Sequence, residues 1–389
     1  MFLRHLIPFY EPTVNDWCFE ARMLRWLTFI WLFIGLAVLF SASYPIGDAD
    51  FKDGLYYVKR QILSILIGMM MFNIVVRYPL RNSLILARIF LIVCLCLLFL
   101  TLIPGLGKET NGATRWLGLG PFQIQPSELI KPFLVLQSSI IFGQWQKLSW
   151  KVKGTWLFIF CLVLIGILLQ PNLSTTALCG MTLWLIALGA GIPYVLLLST
   201  ALGGVGLAVL SVSFREYQRK RILSFLDPWA DRLGDGYQLT QSLLAIGSGG
   251  TFGTGYGMSQ QKLFYLPIQY TDFIFAIFAE EFGLIGCVIL IGLIMAYGTL
   301  ALLVSMKAKF MVHRLVAIGG MVLMVGQSLL NIGVATGALP TTGLPLPLFS
   351  YGSNSMIASL ITAGLLIRVA RESSEAEVIS LDQKRFQRT

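Results

Sequence analysis

An all-α polytopic membrane protein is predicted, with about ten transmembrane helices and a large extracytoplasmic loop between the seventh and eighth. Two observations predict it. Charged residues make up 12% of the 389-residue chain and hydrophobic residues 56%, with a mean hydropathy of +0.76, whereas soluble domains carry about 25% charged residues. The apolar residues also gather into runs of about 17–25, the length a helix needs to cross a bilayer. The net charge of +10 therefore belongs to topology and to anionic lipid surfaces. No zinc-finger, helix-turn-helix or single-strand-binding pattern accompanies it, so nucleic acid is not an expected partner.

The first run, at 26–44, follows a polar start that lacks a small-residue cleavage pattern, so it should remain as an anchor. Runs at 58–76 and 83–103 come next. The fourth, at 126–143, opens on Pro126, which suits a first helical turn, and carries Pro132, which should bend it. Runs at 154–170 and 173–190 are divided by Pro171-Asn172, and Gly191-Ile192-Pro193 divides the latter from 194–213; both are tight-turn signals. The last three lie at 272–302, 314–336 and 346–368.

Basic residues orient these spans. Arg22 and Arg25, Arg77 and Arg81, Lys147, Lys151 and Lys153, Lys307, Lys309 and Arg314, and the tail from Arg368 all fall on one side. Both termini should be cytoplasmic, with Asp48, Asp50 and Asp53 on the opposite face. The organisation is then a single transmembrane domain at 25–371 between short tails at 1–24 and 372–389. The six cysteines lie in the N-terminal tail or in apolar runs, which suits free thiols and no disulfide framework. His5 and His313 are far apart, so no zinc-type site is visible.

The loop at 214–271 breaks the charge bias, because it is external by this count yet holds Arg219-Lys220-Arg221 and Lys262. Long loops tolerate such charge; an anion-binding patch is the competing reading. Directly after it, Thr271-Asp272-Phe273-Ile274-Phe275-Ala276 opens the eighth run. An ionisable group in a span is costly and functional by default, and beside a basic loop it points to chemistry on an anionic lipid-linked substrate. From position alone, Asp272 is equally a helix-start acid favoured by the macrodipole.

Other polar residues have two readings each. Glu280 and Glu281 lie about 12–14 Å further along the helix, as a structural ion pair or as support in a polar cavity. Glu128 and Lys131 share a helix face and are able to pair. Arg115, before Trp116, reads as a headgroup anchor. The glycines of 247–257 lack a Walker lysine and read as tight turns and close packing rather than a phosphate loop. Pro345 and Pro347 should shape a re-entrant or cavity-lining segment, with Ser350 and Tyr351 facing a sugar or serving structure.

An ordered set of motifs runs through the chain. Asn111-Gly112-Ala113-Thr114-Arg115-Trp116-Leu117 precedes Gln125-Pro126-Ser127-Glu128-Leu129-Ile130-Lys131. Then come Asp227-Pro228-Trp229, Gly236-Tyr237-Gln238, Gln261-Lys262-Leu263, Leu266-Pro267 and the Thr271-Asp272 run, followed by Glu280-Glu281-Phe282-Gly283. Leu339-Pro340-Thr341-Thr342-Gly343 and Ser350-Tyr351-Gly352 close the set. The series resembles the SEDS family of cell-wall proteins (shape, elongation, division and sporulation) across essentially all ten spans. Tyr237-Gln238-Leu239-Thr240-Gln241-Ser242 and 261–267 look more like its division branch than its elongation branch. Two departures stand out. Ile268-Gln269-Tyr270 replaces the usual Glu-x-His before Thr-Asp, and Gly352-Ser353-Asn354 replaces Gly-Gly-Ser.

The resemblance implies a peptidoglycan glycosyltransferase that polymerises lipid II in the bacterial plasma membrane, at the division septum. It implies Asp272 as general base, a role typically worth about 10²–10⁴-fold. It also implies substrate contacts from Arg115, Glu128, Lys131 and Lys262, to which the charge bias of the loop adds Arg219, Lys220 and Arg221, with Glu280, Glu281, Ser350 and Tyr351 in support. A divalent cation, Mg2+ or Mn2+, is the candidate cofactor, as hard oxygen ligands are present, and no organic cofactor is expected. The implied partners are a class B penicillin-binding protein, which supplies the transpeptidase this chain has no soluble domain to carry, and other divisome membrane proteins. A lipid-precursor flippase and a non-catalytic scaffold are the rival functions.

Overall fold

The computed structural model describes residues 14–110, 113–119 and 122–386. The Asn111-Gly112 part of one motif and the first thirteen residues, His5 among them, lie outside the described residues. Each of the ten apolar runs falls on a helix: α1 (Phe19–Phe51), α2 (Tyr56–Arg77), α3 (Leu80–Leu100), α4 (Pro126–Gly143), α5 (Trp150–Leu169), α6 (Leu173–Gly189), α7 (Tyr194–Phe214), α10 (Ile274–Lys307), the pair α11 (Met311–Met321) and α12 (Gln327–Ala335), and α13 (Ser353–Phe386). Among the described residues, eight helical segments combine the length and apolarity needed to cross a membrane. The two runs outside that set are α4, diluted by Glu128, Lys131 and Gln137, and the 17-residue α6.

The segment at 214–271 is not simply a loop, because it holds α8 (Glu216–Leu226) and α9 (Tyr237–Gly249). A three-stranded antiparallel meander fills the α3–α4 connection: β1 (Gly107–Thr110), β2 (Ala113–Leu119) and β3 (Phe122–Ile124). Its β1–β2 register passes from Lys108↔Trp116 to Glu109↔Thr114, so Arg115 is skipped. Such a bulge re-aims the side chain of the residue it skips.

The core sits on α13 and α11–α12, whose apolar windows are 83% and 72% buried, whereas α7 is 6% buried and lies at the rim. The tenth span begins later than expected, at Ser353. Residues 346–352 are apolar enough to suggest a helix, but Pro345 and Pro347 prevent one, and Leu346, Leu348 and Phe349 are buried as irregular chain instead. Helix α1 lies directly against that turn: a Cβ on Gly35 would sit 2.4 Å from the Leu348 carbonyl oxygen. The expected C-terminal tail continues α13 to Phe386.

Helix α10 is broken at Gly283, where φ is 64° and ψ is −166°. In an unbroken helix the amides of Leu284 and Ile285 would donate to the carbonyls of Glu280 and Glu281. They donate instead to the carbonyls of Gly250 (2.9 Å) and Thr251 (3.2 Å), while the amides of Thr254 (2.9 Å) and Gly255 (3.1 Å) donate to those of Glu280 and Glu281. Two helical bonds are exchanged for four across the break. An unpaired backbone group in an apolar layer costs several kcal/mol, so this exchange is what makes the break tenable. Tyr256 then ties the same turn to α1, its hydroxyl donating to the Ala37 carbonyl at 2.8 Å.

Candidate active site

Asp272 lies in a turn two residues before α10, which starts at Ile274 rather than at the acid. Three consecutive carbonyls aim this turn. The Tyr351 amide donates to the Tyr270 carbonyl at 2.9 Å, Ser350 Oγ to that of Thr271 at 2.6 Å, and Asn331 Nδ2 to that of Asp272 at 2.8 Å. Ser350 Oγ also accepts from the Leu346 amide at 2.8 Å. Ser350 and Tyr351 therefore act on the acid through its backbone, and no sugar is needed to account for them.

The space in front of the acid is bounded by Gly343. A Cβ built there would lie 3.7 Å from Asp272 Oδ2 and 4.0 Å from Arg115 Nη1, so carboxylate and guanidinium face each other across a residue with no side chain. Arg115 is braced from behind, Nε and Nη2 donating to the carbonyls of Gln170 (3.1 Å) and Pro171 (2.7 Å) in the α5–α6 turn. Arg221 Nη1 donates to the Thr341 carbonyl at 3.2 Å. Next to Gly343, Thr342 Oγ1 is buried with no hydrogen-bond partner among the described residues. Burial pushes the Asp272 carboxyl up to about 6, against the pull of Arg221 and Arg115, and Glu128 adds to the rise. A carboxylate near neutrality facing two guanidiniums suits proton transfer beside an anionic group.

One wall of the site is polar well into the bundle. Lys131 Nζ pairs with Glu128 Oε1 at 2.7 Å, both side chains about 95% buried, and donates to Gln327 Oε1 at 3.1 Å. Gln327 Nε2 in turn donates to the Pro345 carbonyl at 2.7 Å. The ion pair expected from spacing is thus present and is joined to the segment that carries Gly343.

Five expected site residues stand elsewhere. Lys262 is buried against Glu281, Nζ to Oε1 at 2.9 Å, and against Ser41 Oγ at 2.8 Å, so its charge is spent inside the protein and not on substrate. Glu280 accepts from Ser259 Oγ and from the amides of Gln260 and Gln261, which ties the returning chain to α10. Glu280 and Glu281 are structural partners, and the break at Gly283 explains why: it needs the loop held against the helix. The basic triplet is divided, with Arg219 exposed, Lys220 paired at the surface with Glu216 at 3.3 Å, and Arg221 at the site.

A Ser-x-x-Lys spacing, the signature of a transpeptidase nucleophile, occurs once, at Ser259-Gln260-Gln261-Lys262. Here Ser259 donates to Glu280 and Lys262 Nζ bonds Ser41 and Glu281, so the pair does not form a nucleophile and base. Tyr270 packs at a tilt on Tyr57 and edge-on to Tyr351, at centroid distances of 4.5 and 5.7 Å. Asn331, Gln327 and Gly343 are the residues that sequence reasoning did not single out. Two amides in an otherwise apolar span were the available signal for the first two. Among the described residues, no group of three His, Cys, Asp or Glu gathers to hold a metal. A single carboxylate fits only a cation that arrives mainly coordinated by substrate phosphates.

Residues 21–375 match the FtsW, RodA and SpoVE family, described as cell cycle protein. The probable peptidoglycan glycosyltransferase FtsW of Synechocystis sp. is 58% identical over 382 residues, covering 98% of this chain and 97% of its own length. The putative peptidoglycan glycosyltransferase FtsW of Mesostigma viride is 51% identical over 372 residues, covering 95% and 88%. Among solved structures, a chain from a study of how a peptidoglycan synthase complex coordinates polymerization and crosslinking aligns with a TM-score of 0.72 at 28% identity. It covers 90% of this chain and 97% of that one. The rod shape determining protein RodA of Thermus thermophilus aligns at 0.66, also at 28% identity, covering 90% and 96%.

Proposed function

This chain belongs to the FtsW, RodA and SpoVE family of cell cycle proteins, and from that premise we infer a membrane-embedded peptidoglycan glycosyltransferase that polymerises lipid II for the septal wall. The observation that carries the reading is the gap at Gly343, with Asp272 on one side and Arg115 on the other. In the proposed step, a sugar hydroxyl of one substrate attacks the anomeric carbon of the other and gives its proton to Asp272. A glycosidic C–O bond forms, the bond from the anomeric carbon to the phosphate oxygen breaks, and the electron pair leaves on undecaprenyl pyrophosphate. Arg115 and Arg221 stabilise that developing charge, the kind of fixed electrostatic help that is usually the largest single term.

A Mg2+ or Mn2+ ion accompanying the pyrophosphate is part of the proposal, with Asp272 the carboxylate offered to it. Such an ion would supply further charge neutralisation. No organic cofactor is invoked. Cross-linking falls to a separate class B penicillin-binding protein, within an assembly of other divisome membrane proteins. A structural neighbour drawn from a synthase complex supports that partnership, as does the structural use of the one Ser-x-x-Lys spacing. The test is polymer formation from purified lipid II by the purified protein, alone and with the partner. The Asp272→Asn variant should insert and bind lipid II but make no polymer. Normal polymer from that variant sinks the base assignment, and lipid II translocation without polymer favours a flippase.

A further inference from the structure

Helix α12 presents two side-chain amides one turn apart, Gln327 and Asn331, toward the chain that bounds the site. Gln327 Nε2 donates to the Pro345 carbonyl at 2.7 Å, and Asn331 Nδ2 donates to the preceding carbonyl, that of Leu344, at 2.8 Å. Asn331 Nδ2 uses its second hydrogen on the Asp272 carbonyl, also at 2.8 Å. One amide nitrogen therefore holds two segments together. One carries the carboxylate, and the other carries Gly343, which borders the space between that carboxylate and Arg115. Asn331 is 1% exposed, and its Oδ1 is buried without a hydrogen-bond partner among the described residues. Leaving an acceptor orphaned costs stability, so the side chain is present for its donors.

The phase of this pair depends on the turn before it. Residues 322–326 form a π-turn between α11 and α12. A π-turn adds about one residue to the helix and so rotates everything beyond it by roughly 100°. Without it, Gln327 and Asn331 would face away from the 344–345 carbonyls.

We propose that Asn331 is a positioning residue for glycosyl transfer, fixing the gap between Asp272 and Arg115 by joining the Asp272 and Leu344 carbonyls through one amide. This rests on Asp272 being the base. Misplacing a reacting group by about 1 Å costs on the order of 10²-fold in rate, and that is the loss expected in kcat. Substrate affinity, which depends on the braced arginines, should change little.

The experiment compares full-length Asn331→Leu, which keeps the volume and removes both donors, with Asn331→Ser, which retains one donor. Polymerisation of lipid II, lipid II affinity and thermal midpoint in detergent are measured on each, with Asp272→Asn as control. The expected result is kcat lowered about 10²-fold for leucine and less for serine, with affinity within a few fold. A loss of kcat with affinity and midpoint held is the split that a purely structural role would not give. Wild-type kcat in both variants overturns the positioning role while leaving the base intact. So does a loss of kcat, affinity and midpoint in parallel. An active Asp272→Asn control instead fails the reading beneath it.

Discussion

Replacing Lys262 by Met separates a structural lysine from a substrate-binding one. The methionine keeps most of the stem and removes the ammonium, which lies 2.9 Å from Glu281 Oε1 and 2.8 Å from Ser41 Oγ. At an effective dielectric of about 20 the lost attraction at that distance is about 6 kcal/mol. Relaxation and water entry reduce this, and breaking a buried pair by removing one partner costs about 3–5 kcal/mol in practice. Glu281 is 0% exposed at its side chain, so the upper part of that range is expected. The double variant Lys262→Met/Glu281→Gln should recover most of the loss, because neither charge is then left uncompensated. Unfolding in detergent for the two singles and the double gives the cycle, and lipid II affinity is measured alongside. A Lys262→Met protein with an unchanged unfolding midpoint and weakened lipid II binding would refute the reasoning and return Lys262 to the substrate.

Three further outcomes follow from the site. Asp272 acts as a base only when ionised, and burial holds its carboxyl at about 6, so polymerisation should be full above that pH and fall as pH drops through it, by about tenfold per unit below; a profile flat down to pH 5 contradicts this. Gly343→Ala places a methyl 3.7 Å from Asp272 Oδ2 and 4.0 Å from Arg115 Nη1, and kcat/KM for lipid II should fall about tenfold or more, the usual worth of one methylene-sized misfit, with the fold retained by circular dichroism. Arg221→Ala should weaken lipid II binding and flatten its salt dependence, whereas Arg219→Ala and Lys220→Ala should leave both nearly unchanged, since exposed charges and surface pairs are worth little; equal effects from all three would restore the single basic patch.

The helices were legible because length and apolarity alone define them, and all ten runs fall on helices. Mean apolarity does not register dihedral angles, however. The run at 272–302 read as one span because Gly283 is small and unremarkable in sequence, and its break depends on amides about thirty residues earlier. Residues 346–352 read as helix because they are apolar, but two prolines and the close approach of Gly35 hold them in an irregular turn. The meander was not expected, and neither was the bulge that re-aims Arg115, since register is a property of the pair of strands. In the site, Asp272 and Arg115 came from motif, and the Glu128–Lys131 pair from spacing. Motif also supplied Lys262, but not its structural role, because its partners Glu281 and Ser41 stand 19 and 221 residues away. Asn331 was not legible because two amides one turn apart do not say what they bond, and its two acceptors meet only in three dimensions.

The exchange of backbone bonds at Gly283 makes α10 two rods rather than one. The part at 274–282, with the acid at its head, is fastened to the turn at 250–255 and moves with it. The part at 284–307 is fastened to the same turn through the amides of Leu284 and Ile285, and a glycine links the two parts. Bilayers differ in thickness by several ångströms, and long spans respond by tilting. In this chain four bonds to one turn clamp the angle between the two parts, so a tilt of the longer one carries the shorter one, with the carboxylate at its head, along with it.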